Sequence, residues 1–102
     1  MITEIKNNDL GNAKTDAVAV LDFNATWCGP CQMLKPVLEE LSTEMAGVSF
    51  YGIDTDENSA LAQQFGIMNI PAVVVLKNGV QADMNVGFVP KPQLQAFIEK
   101  NM

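Results

Sequence analysis

The chain predicts an α/β fold: a central mixed β-sheet of about five strands flanked by about four helices, in a single domain over residues 1–102. Three observations carry this expectation. Short, β-branched apolar runs at 17–24, 48–53 and 72–76 alternate with segments of helical periodicity. An Asn78-Gly79 pair joins the last of those runs to one more strand, as a hairpin turn does. Hydrophobic residues make up 48%, yet no apolar run approaches the roughly 20 residues of a membrane span, which suits one compact core.

Residues 2–5 read as a short first strand, and 9–13 as a helical turn that Gly11 weakens. The run Val18-Ala19-Val20-Leu21-Asp22-Phe23 is apolar on both faces but for one acid, which makes it the buried central strand. From Pro30 the period changes, and Leu34, Val37, Leu38, Leu41 and Met45 line one helix face. Pro30 suits a first turn, where its missing N–H costs nothing, while Pro36 predicts a kink. Gly47 predicts the stop. After the strand at 48–53, Asn58 predicts the cap of a short helix carrying Ala60, Leu61, Ala62 and Phe65, ended by Gly66. The strand at 72–76, the Lys77-Asn78-Gly79 turn and an edge strand at 80–86 follow. Leu94, Phe97 and Ile98 then lay a last helix over the sheet, with Pro92 in its first turn. The order βαβαβαββα puts helices on both faces.

The chemistry concentrates in Trp27-Cys28-Gly29-Pro30-Cys31, which holds the only two cysteines where the central strand turns into a helix N-terminus. Two thiols at this spacing can close a small disulfide with little backbone movement. Unpaired helix N–H groups and the positive end of the dipole favour thiolate on the first. Thiolate is the species that attacks disulfides, so the motif reads as a dithiol/disulfide switch. The start, Met1-Ile2-Thr3-Glu4, lacks a signal-peptide pattern, which predicts a cytoplasmic, reducing location where such a pair is catalytic.

Charge and composition exclude other classes. The net charge is −6, with six cationic residues, all lysine, and no histidine. Without arginine or a basic patch, nucleic-acid binding is not expected. Without histidine, Cys–His protease chemistry and the commonest metal ligand are gone. Two cysteines fall short of the four ligands of a closed zinc site, leaving only a metal or iron–sulfur centre shared between two chains. A purely structural disulfide at this spacing would constrain little of the unfolded chain. Asp54, Asp56 and Asn58 mimic positions 1, 3 and 5 of a calcium loop, but Ser59 and Phe65 occupy the places of its Gly and Glu. They read instead as helix-capping groups.

Taken together, Trp27-Cys28-Gly29-Pro30-Cys31 behind Asp22-Phe23, Pro36 in the next helix, Ile70-Pro71 before a strand, Lys77-Asn78-Gly79 and Gly87 resemble the thioredoxin family over essentially the whole chain. The resemblance implies the thioredoxin fold and a protein-disulfide reductase with no cofactor beyond its own disulfide. It implies that Cys28 is the exposed nucleophile and that Cys31, deeper on the helix, resolves the mixed disulfide. A thioredoxin reductase, linked to NADPH or to ferredoxin, would return the electrons to a monomeric, cytoplasmic carrier, and disulfide-containing proteins would be its targets. The resemblance also implies a cis bond at Pro71 and an apolar docking patch of Trp27, Gly29, Pro30, Ile70, Pro71 and Gly87. There the Ile70 backbone would pair with an extended target segment.

In the same resemblance Asp22 accepts the proton of Cys31. Many members pair that acid with a lysine, but Gly52 stands at the aligned position, so Asp22 is predicted to be hard to ionise. Asn24 replaces a usual aromatic residue, Phe88 follows Gly87 where a small residue is common, Ala72 replaces a frequent threonine, and Pro90 stands near the usual cap of the last helix. These departures suggest a shifted partner preference. Three readings compete: Asp22 as an ordinary buried polar group, a binding module that relies on its docking patch, and a dithiol glutaredoxin-like enzyme. The last lacks any arginine for the glutathione carboxylates.

Overall fold

A computed structural model describes residues 1–102. In order, its elements are β1 (Ile2–Glu4), a 3₁₀ turn (Gly11–Lys14), β2 (Val18–Asn24), α1 (Gly29–Glu44), β3 (Ser49–Asp54), α2 (Ser59–Gln64), β4 (Ala72–Lys77), β5 (Val80–Val86) and α3 (Lys91–Lys100). The strands form one mixed sheet in the order β1-β3-β2-β4-β5. β1 and β2 run parallel to β3, while β4 runs antiparallel to β2 and β5 antiparallel to β4. Three of the expected helices are α-helices and the fourth is the 3₁₀ turn. Gly11 opens that turn at φ 56°, a left-handed conformation that no α-helix runs through.

The period of two along β2 divides the core. Ala19, Leu21 and Phe23 join Leu10, Ala13 and Leu61 on the face covered by the 3₁₀ turn and α2. Val18 and Val20 join Leu34, Leu38 and Leu41 of α1 and Leu94 and Ile98 of α3 on the other. Each fully buried leucine of this kind contributes about 2 kcal/mol of transfer free energy. Asp22 continues the Val18–Val20 alternation, so the same period turns it toward α1. That placement is the structural basis of the site.

Two boundaries differ from the sequence expectation. α1 contains Pro36 and ends at Glu44, with Met45 rather than Ala46, the neighbour of Gly47, at its C-cap. Met45 leaves the helical conformation where its side chain packs against the α1/α3 core, and Gly47, at φ 80°, turns the chain toward β3. Asn58 does sit at the N-cap of α2, but its side chain makes no cap there. It is buried, and its Nδ2 donates to the carbonyls of Ile5 at 3.3 Å and Asp54 at 3.1 Å. The cap comes from Asn8 instead, whose Oδ1 accepts the Leu61 N–H at 3.1 Å.

Candidate active site

β2 ends at Asn24, and after Ala25, Thr26 and Trp27 the chain enters α1 with Cys28 as its N-cap and Pro30 in the first turn. Cys28 and Cys31 form a disulfide with their Cα atoms 5.3 Å apart. The Cys28 Sγ accepts the Cys31 N–H at 3.3 Å, so sulfur takes the place of the usual capping oxygen. When the pair is reduced, the same N–H and the helix dipole lower the energy of a Cys28 thiolate.

Cys28 is not an exposed group in this oxidised state. It is 5% exposed and Cys31 2%, because each sulfur faces the other and Ile70 packs over the pair with Ala25. The two thiols differ in surroundings more than in depth. Cys31 lines a cavity that also contains Asp22, whereas Cys28 approaches the Ile70 carbonyl oxygen at 3.9 Å.

The Ile70–Pro71 peptide bond is cis, and the Pro71 carbonyl accepts the Gly87 N–H at 2.8 Å. Ile70, Pro71 and Gly87 are thereby brought together beside the disulfide. Pro71 is buried, so it shapes that surface from beneath rather than forming it. Gly29 and Pro30 are exposed, and Trp27 is 71% exposed. The indole N–H donates to Asp56 Oδ2 at 2.8 Å. Asp56 therefore anchors the tryptophan and does not cap a helix. Asp54 Oδ1 accepts the N–H groups of Asp56 and Glu57, which shapes the turn that presents Asp56. Exposed Met33, Met68 and Phe88 add further large apolar side chains to the molecular surface.

Asp22 lies between Gly52 of β3 and Val73 of β4 in the sheet register. Burial pushes its pKa up to about 6; a hydrogen bond from Asn24 and the charge of Lys35 oppose that rise, and Glu4 adds to it. Asn24 Nδ2 donates to Asp22 Oδ2 at 3.2 Å, while Oδ1 has no hydrogen-bond partner. Asn24 thus partners the acid, where the resemblance marked it only as the replacement of a usual aromatic residue. The signal was available: residues two apart on a strand share a face. Asp22, Cys31, Lys35, Glu4 and Gly52 line one cavity of about 260 Å³, roomy enough to hold water. No group of three or more His, Cys, Asp or Glu is arranged to hold a metal ion.

Comparison with known proteins gives a consistent result. The thioredoxin family model matches residues 4–100. A thioredoxin of Bacillus subtilis (strain 168) is 45% identical over 89 residues, spanning 86% of either chain. One from Staphylococcus saprophyticus is 40% identical over 102 residues, 99% of this chain and 98% of that one. Among solved structures, a mutant thioredoxin from Halobacterium salinarum NRC-1 matches with a TM-score of 0.89 at 37% identity, covering 97% of this chain and 88% of the other.

Proposed function

Because the chain belongs to the thioredoxin family, whose members reduce protein disulfides through a redox-active cysteine pair, we propose a division of labour within its own pair. The protein is a thiol-disulfide oxidoreductase that works through the Cys28–Cys31 disulfide, with a thioredoxin reductase and disulfide-containing proteins as partners.

Cys28 is the attacking thiol. Its thiolate forms a bond to one target sulfur, the target disulfide breaks, and the second target sulfur leaves with the electron pair and takes up a proton. Cys31 then loses its proton through water to Asp22, and its thiolate attacks Cys28 Sγ. The Cys28–target bond breaks, the target is released reduced, and the Cys28–Cys31 disulfide described here is the product. The observation that carries this reading is the shared cavity of Cys31 and Asp22, beside an N-cap position at Cys28. Trp27, Gly29, Pro30, Ile70 and Gly87 form the docking surface, with Pro71 beneath it.

One continuous sheet containing every strand supports a single domain over residues 1–102. No helix is long and apolar enough to cross a membrane. A reductive role suits the cytoplasm, where a monomer would receive electrons from a reductase linked to NADPH or ferredoxin. Trapping tests the assignment. Cys31→Ser should accumulate a mixed disulfide between Cys28 and a disulfide substrate such as insulin, visible on a non-reducing gel. Cys28→Ser should accumulate none, and the reverse pattern would exchange the two roles.

A further inference from the structure

Three neighbouring strands set Glu4, Gly52 and Asp22 in one row: Glu4 pairs with Gly52 across β1 and β3, and Gly52 with Asp22 across β3 and β2. Paired positions point to the same face of a sheet, and neighbouring strands lie about 4.8 Å apart. The backbones of Glu4 and Asp22 are therefore roughly 10 Å apart across a residue that has no side chain. Glu4 leans into that gap. A Cβ at position 52 would collide with the Glu4 carboxylate, so an acid from β1 occupies the space the glycine leaves on β3.

The remaining surroundings of Asp22 are unequal in charge. Glu4 from β1, Asp54 from the end of β3 and Glu57 from the turn before α2 line its cavity, with Cys31 and Lys35 from α1, and β4 brings only Val73. Lys35 is the one cation there, and it takes part in none of the ion pairs of the molecule. Of these charges Glu4 raises the Asp22 pKa and Lys35 lowers it.

From this geometry we infer that Glu4 is a positioning residue for the proton transfer at Cys31: laid over Gly52, its carboxylate shifts upward the pH range in which Asp22 is available as a base. A second carboxylate beside a buried one disfavours ionisation of the first. Glu4 lies on the exposed edge strand, so it tunes Asp22 without being part of the buried core. The inference rests on the reading of Asp22 as the acceptor of the Cys31 proton.

Two readouts test it: the pH profile of insulin reduction by the reduced protein, and the titration of the Asp22 side-chain carboxyl followed by carbon NMR in the oxidised protein. Glu4→Gln should move the Asp22 midpoint down by roughly half to one pH unit. It should carry the part of the acid limb that reports Asp22 with it and leave the alkaline plateau unchanged. Asp22→Asn should remove that part and leave only the limb of the Cys28 thiol, which must ionise to attack, and in that background Glu4→Gln should have no further effect. An unmoved Asp22 midpoint in Glu4→Gln, with the Asp22-dependent part of the limb still lost in Asp22→Asn, would overturn the role of Glu4 and leave that of Asp22 standing. A pH profile unchanged in Asp22→Asn would remove Asp22 as the acceptor, and the inference with it.

Discussion

At Asp22, burial in the sheet raises the carboxyl pKa to about 6, against an ordinary value of about 3.9. The folded state thus holds this proton more tightly than the unfolded chain does. Below about pH 4 both states are protonated and burial carries no ionic penalty. As pH rises through the window from about 4 to 6 stability falls, and above it the penalty reaches about 3 kcal/mol. Asp22→Asn should relieve part of it, making the oxidised protein about 1–2 kcal/mol more stable at pH 7, with no gain near pH 4. Urea unfolding at the two pH values measures this, and a variant no more stable than the parent at pH 7 would refute the assignment. Tyr51 offers a second titration. Burial and the hydrogen bond from its hydroxyl to the Asp16 carboxylate push its pKa up to about 12. As the only tyrosine it should show no tyrosinate absorbance near pH 10 until the protein unfolds.

At the scale of elements, two short segments depend on side chains from far along the chain. α2 has six residues, too few to persist alone, and its N-terminal N–H at Leu61 is satisfied by Asn8. Asn8 has φ 55°, which glycine adopts freely, so Asn8→Gly removes the cap without backbone strain. It should cost about 1 kcal/mol in equilibrium unfolding. The loop carrying Trp27 is tied to the turn before α2 by the indole bond to Asp56. Asp56→Ala should free the indole and change the emission of the single tryptophan, while stability changes by less than about 1 kcal/mol, because the contact is solvent-exposed.

For the whole molecule, the sheet and its two covering layers fix the distance between β2 and α1, and with it the approach of Asp22 to Cys31. Leu38 is fully buried in the layer between α1 and the sheet. Leu38→Ala should destabilise the fold by about 3 kcal/mol, read from the shift of the denaturant midpoint. Much of this architecture is legible in local pattern. The β-branched runs marked β2, β3 and β4, the Asn78-Gly79 pair marked the β4–β5 hairpin at its observed bounds, and the Leu34–Leu38–Leu41 spacing marked the buried face of α1. The Cys28–Cys31 pair was placed at a strand–helix junction for the same reason. Helix ends were less legible: α1 ends at Glu44 with Met45, not Ala46, as its C-cap.

By itself, then, the sequence determined the fold class and the disulfide chemistry through hydrophobic periodicity and the spacing of the two cysteines, while the family resemblance implied an acid at Asp22 without its usual lysine on the neighbouring strand. Only the tertiary structure decided what surrounds that acid and its neighbours. Asn8 meets Leu61 across 53 positions and Trp27 meets Asp56 across 29. Glu4 and Asp22 line one cavity only because β3 lies between β1 and β2 with a glycine at the crossing. Strand order and register create such meetings, and no local pattern carries either one.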